Sequence, residues 1–127
     1  MMLNRTMVVC ALAIAGLAVG CASKCKTVCD EQQKCSDTAA GLKDGMTCDK
    51  LCDDTNAVAD ASKCDKQRDD YYDCAEKVDD KCDAVQRETC DPQDVAFSNC
   101  WGTYCQQHPG DKDCKKYFSD FGIASGG

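Results

Sequence analysis

CDKQRDDYYDCAEKVDDKC, residues 64–82, carries the clearest sign of how this chain folds. Cys64, Gln67, Tyr71, Cys74, Val78 and Cys82 recur at steps of three and four, with acids and lysines on the other side. That period belongs to an amphipathic α-helix, because such steps return a side chain to the same face. Downstream, Phe97, Cys100, Trp101, Tyr104 and Cys105 follow i, i+3, i+4, i+7, i+8. Upstream, Cys25/Cys29 and Cys48/Cys52 are i,i+4 pairs that set two sulfurs one above the other. Strand alternation is nowhere sustained. The expected fold is all-α: a small disulfide-stapled bundle of helical hairpins, with about four helices plus a short C-terminal turn.

Turn and cap residues divide the bundle. The first helix is expected over about 23–39, stopping at Gly41. Thr47 reads as the N-cap of a second at about 48–61. The third covers about 65–82. Asp91-Pro92-Gln93-Asp94 reads as an N-cap, a proline at the first helical position and a first-turn acid. The helix it opens ends before His108-Pro109-Gly110. Cys114, Tyr117, Phe118 and Phe121 mark one further turn.

Composition explains why such a bundle needs crosslinks. Beyond residue 20 the only Leu and Ile are Leu42, Leu51 and Ile123, while Asp and Lys dominate. Without cysteine the chain approaches a disordered polyelectrolyte. The 127 residues include 14 cysteines, more than the roughly 8–10 % that marks a disulfide scaffold. Each bridge typically contributes ~2–4 kcal/mol by restricting the unfolded chain, and such bridges persist in oxidising compartments. The cysteines therefore call for export.

The N-terminus supplies it. A short polar start with Arg5 precedes the uncharged apolar run Met7–Val19, the length of a signal-peptide core and too short to span a membrane. Leu17-Ala18-Val19-Gly20-Cys21 resembles a bacterial lipobox. The resemblance implies cleavage before Cys21, a diacylglyceryl group on its sulfur and acylation of the new amine. Ordinary cleavage at the same bond is the alternative, since Ala18-x-Gly20 has the small residues it needs. The expected organisation is a signal peptide at 1–20, a lipid-anchored N-terminus at 21–24, a helical domain at 25–121 and a flexible tail at 122–127. Cys10 leaves with the signal and Cys21 carries the anchor, so twelve cysteines remain, an even number that can pair completely. Ala22, where Asp suggests inner-membrane retention in well-known lipoproteins, points by analogy to the outer membrane.

Removing 1–20 takes Arg5 and no acid, so the net charge of −7 becomes −8. That balance argues against nucleic acid and against electrostatic attraction to anionic headgroups.

Twelve cysteines allow about ten thousand pairings. A hairpin centred near residue 86 brings Cys82 to Cys90 and Cys74 to Cys100; a turn at 41–45 brings Cys35 to Cys48 and Cys29 to Cys52. Cys25, Cys64, Cys105 and Cys114 complete the set of expected disulfide residues without named partners. The alternative is that the helices cross at an angle and the pairs are shuffled.

Cys25-x3-Cys29…Cys48-x3-Cys52 resembles the twin CX3C pattern, and Cys64-x9-Cys74…Cys90-x9-Cys100 the twin CX9C pattern of helical-hairpin proteins, both interrupted, by Cys35 and Cys82. The order CxxxCDxxxxC, CDxLC, C(x9)C, C(x7)C(x7)C, C(x9)CxxxxC resembles the cysteine-rich lipoproteins encoded in many copies by myxobacteria and related soil or predatory bacteria. That resemblance implies location and fold, and no particular reaction.

Few residues suggest chemistry. No CxxC occurs, so neither a zinc knuckle nor a thioredoxin-like redox pair is indicated. His108, the only histidine, sits at a helix end, where it complements the dipole. Asp53-Asp54, Asp69-Asp70 and Asp79-Asp80 lack the alternating ligands of a calcium loop and read as solvated helix faces. Core packing is the default for the aromatics, with a partly exposed Tyr72 or Trp101 as the candidate contact residue. The expected function is therefore non-enzymatic, without cofactor or metal: an interaction or structural module of the envelope, held to the membrane by lipid and meeting an envelope protein. The alternative is a metal-handling or thiol-redox protein using reduced CxxxC pairs.

Overall fold

The computed structural model describes residues 23–35, 42 and 45–121. The signal peptide, Cys10, the lipobox with Cys21, the tail at 122–127 and the stretch 36–41, over which the first helix is expected to continue, lie outside the described residues. Those described are helical and contain no strand.

Helix α1 (Lys24–Gln32) opens at Ser23, whose hydroxyl accepts the Lys26 N–H at 3.2 Å. It buries Cys25, Val28 and Cys29. It stops short of the predicted 39: Lys34 and Cys35 N–H donate to the carbonyls of Glu31 and Gln32, three residues back. Gln32-Gln33-Lys34 brings no apolar side chain to bury, and packing is what sustains a short helix. Cys35 therefore sits beyond the helix end.

Helix α2 (Cys48–Ser62) starts where Thr47 predicts, the Thr47 hydroxyl accepting from Lys50 N–H at 3.2 Å. It ends at Lys63, in the left-handed region at φ 61°, with the Cys64 N–H returning to the Ala59 carbonyl at 2.9 Å. That reversal leads at once into α3 (Asp65–Glu76).

The third helix is shorter than its cysteine stripe suggests. Past Glu76, aspartate side chains compete with the helical ladder: the Asp80 carboxylate accepts the Cys82 N–H at 2.9 Å, and Asp83 accepts that of Val85 at 2.9 Å. Lys81 Nζ donates to the carbonyls of Glu76 and Val78, closing the helix end. Asp83 then caps the single turn α4 (Ala84–Arg87), and a 3-10 turn (Glu88–Cys90) leads into α5 (Asp91–Gln107), with Pro92 in its first turn.

The C-terminal segment is a ten-residue helix, α6 (Lys112–Phe121), and not the short turn expected. Asp111 makes it so, its carboxylate accepting from the N–H groups of Asp113 (2.9 Å) and Cys114 (3.1 Å). These bonds, with one from the Tyr104 hydroxyl, hold the Asp111 carboxyl below the usual carboxylate range.

Helix α3 packs on α5 and α1, while α2 meets α6, α1 and α5. The core where they converge is small: Val58, Ala59, Cys64, Phe97, Trp101, Cys105 and Cys114, bordered by Cys100, Tyr104, Tyr117 and Phe118.

Cysteine pairing corrects the sequence-based pairs. The bridges are Cys25–Cys52, Cys29–Cys48, Cys35–Cys82, Cys64–Cys100, Cys74–Cys90 and Cys105–Cys114, with Cα separations of 5.3–6.0 Å. Cys82–Cys90, Cys74–Cys100, Cys35–Cys48 and Cys29–Cys52 do not form. Both hairpins are nested and antiparallel as expected, but each is displaced by one cysteine. The reason is the two early helix ends. Cys35 and Cys82 both fall outside helices, and they bond to each other.

Candidate functional site

Helix α5 carries Trp101 into the core, 9 % exposed, where its ring lies 4.9 Å from that of Tyr117 and 5.7 Å from that of Phe118. Its burial agrees with core packing, the default for the aromatics, and not with the partly exposed contact offered as the alternative. Tyr72, on α3, is half-buried and meets Tyr71 edge-on at 5.0 Å. Its hydroxyl lies 3.2 Å from Cys25 Sγ; a disulfide sulfur has no proton, so the hydroxyl donates. Burial pushes the Tyr72 phenol well up, and Tyr117 up to about 12 for the same reason, with the nearby Thr55 hydroxyl working in the opposite direction on both. Thr55 itself is 2 % exposed and donates to the Leu51 carbonyl at 2.8 Å.

These rings border a cavity of about 220 Å³ between α1, α2, α3, α5 and α6. Tyr71, Tyr72, Phe97, Trp101 and Tyr117 supply aromatic wall; Met46, from the α1–α2 connection, supplies aliphatic wall. Its polar side includes Thr55, Ser98, Asp94 and Asp120. Among the described residues no lysine or arginine lines it.

The two carboxylates differ in circumstance. Asp120 is paired with Lys50 and with Lys116 (3.2 Å), and the same two lysines reach Asp54. This alternating square joins α2 to α6. Asp54 is 4 % exposed, so the reading of Asp53-Asp54 as a solvated face holds for Asp53 only. Asp94 forms no ion pair among the described residues. Partial burial, followed by repulsion from Asp91, raises its carboxyl above the ordinary value.

The remaining sequence candidates stay apart from this cavity. His108 is exposed at the end of α5, its Nδ1 donating to the Tyr104 carbonyl at 2.9 Å and its ring stacked on Tyr104 at 4.3 Å. Asp69 pairs with Arg68 and Asp70 with Lys66. Among the described residues no group of three or more His, Cys, Asp or Glu side chains is arranged to hold a metal ion. No described helix is long and apolar enough to cross a membrane. Sequence reasoning missed Thr55, which belongs to no motif, and read Asp94 only as a first-turn acid of its helix; only helix packing brings the two beside the tyrosines.

No protein-family profile, curated protein or solved structure matches the chain.

Proposed function

We propose that the chain is an exported, disulfide-rich module of the cell envelope, anchored by lipid on Cys21 and acting by binding and not by catalysis. The observation that carries this reading is the set of six bridges, which tie α1 to α2, α3 to α5 and to the turn before it, α5 to α6, and the segments after α1 and α3 to each other. Such density belongs to oxidising compartments. A frame restrained in this way presents its surfaces with little ordering cost on association. Helix α1 begins at Lys24, three residues past Cys21, so the anchor keeps the frame close to the bilayer and favours partners in the same membrane. Ala22 supports the outer membrane.

The rival reading, metal handling or redox chemistry by reduced CxxxC pairs, draws less support. Each i,i+4 pair is bridged across to the other helix, Cys25 to Cys52 and Cys29 to Cys48. Thiol titration of the denatured protein separates the readings: the envelope-module reading expects no free thiol.

Labelling with fatty acid tests the anchor. Wild type incorporates label and Cys21→Ser does not; equal labelling overturns the assignment. Crosslinking in intact envelopes then identifies the partner, and recovery of stoichiometric zinc or copper with the purified protein favours the rival.

A further inference from the structure

We propose that the cavity between α1, α2, α3, α5 and α6 binds a small organic cation, an ammonium group carried on an apolar body. The inference rests on the reading of the domain as a binding module and names its ligand class. It does not depend on the lipid anchor.

Size comes first. At about 220 Å³ the space exceeds a buried cavity of about 150 Å³, which holds a benzene ring. A body of one ring with a short chain fits. The wall is the second argument. Tyr71 with Tyr72 and Trp101 with Tyr117 pack as tilted ring pairs, at 5.0 and 4.9 Å between centroids, so much of the wall is aromatic surface. Ring faces carry the negative lobe of the quadrupole and attract cations.

Charge decides between a cation and a neutral hydrocarbon. Among the described residues the lining contains two carboxylates and no cationic side chain. Asp120 on α6 is already neutralised by Lys50 and Lys116. Asp94 on α5 is not paired, and it is exposed, so it marks where the cavity reaches solvent. A ligand whose apolar body lies among the rings can place its ammonium at Asp94, satisfying the one unmatched charge. An anion meets repulsion from that carboxylate and from a strongly acidic domain.

The molecule supplies its own reporter, because Trp101 is the only tryptophan and lines the cavity. The test is titration of the purified full chain, disulfides intact, with phenethylamine and with its neutral near-isostere 2-phenylethanol, following Trp101 fluorescence. The ammonium is expected to bind about tenfold more tightly than the alcohol. Asp94→Asn, an exposed position where the fold tolerates change, is expected to erase most of that preference. Ser98→Leu, which fills the cavity from α5, is expected to abolish binding of both, with circular dichroism and melting confirming that the variant is folded.

Three outcomes overturn the proposal: no fluorescence response to either compound at millimolar concentration, equal affinity for the two, or a preference that survives Asp94→Asn. None of these alters Cys21 labelling or envelope crosslinking, so failure of the cavity proposal remains distinct from failure of the module reading.

Discussion

At the scale of single residues, the clearest departure from sequence expectation is Asp54. Its position beside Asp53 on α2 gives no sign that one is exposed and the other 4 % exposed. What makes its burial tolerable is the arrival of Lys116 from α6 beside Lys50 of its own helix. Such a pair is weak evidence of net stabilisation, but breaking it from one side is costly. The double variant Lys50→Met/Lys116→Met retains the apolar stems and leaves the carboxylate uncompensated. Because both lysines are about half-exposed and well hydrated when free, the expected loss is about 2 kcal/mol, below the full buried-pair value. Asp54→Leu is expected to cost less, since the freed lysines return to water. Urea denaturation with disulfides intact measures both; the reverse order shows that Asp54 is solvated.

At the scale of elements, helix ends control which cysteines can meet. The two bridges with the longest spans, Cys35–Cys82 and Cys64–Cys100, separate residues by 47 and 36 positions. Loop-closure entropy favours the longer by only ~0.2 kcal/mol, so burial decides their relative importance. Cys64 is 0 % exposed within the core, whereas Cys82 lies exposed in a turn. Removing Cys64–Cys100 by paired serine substitution is expected to cost about 2–5 kcal/mol and to loosen α3 from α5. Removing Cys35–Cys82 is expected to leave helicity nearly unchanged and to cost less. Thermal melts followed by circular dichroism compare them, and equal losses show that loop constraint outweighs core packing here.

At the scale of the molecule, the central cluster among the described residues has seven buried members, three of them half-cystines, and its aliphatic side chains are those of Val58 and Ala59. Small domains bury too little apolar surface to offset chain entropy without staples. Full reduction under native conditions is therefore expected to abolish most helical circular dichroism, and reoxidation to restore it. Retention of native helicity in the reduced, alkylated protein shows that ring packing around Trp101 suffices alone.

Much of this was legible in the chain. The 3.6-residue period specified helices at 65–76 and 97–105, because side-chain direction follows from local backbone geometry, but it ran on to Cys82 where no helix forms. Thr47 marked the start of α2 through a hydrogen bond made within three residues. Cysteine content and scarce aliphatics implied a crosslinked frame, since that inference needs only the entropy of the unfolded chain. The interval pattern also held the right hairpins, but it could not reveal that Cys35 and Cys82 lie beyond their helices. That depends on the polar residues around them having nothing to pack against, which is a property of neighbours distant in sequence. Trp101 in the core, Asp54 between two lysines, and Asp94 at the mouth of an aromatic cavity were likewise decided by tertiary structure. Each arises where helices far apart in sequence converge, and local spacing carries no record of which faces will meet.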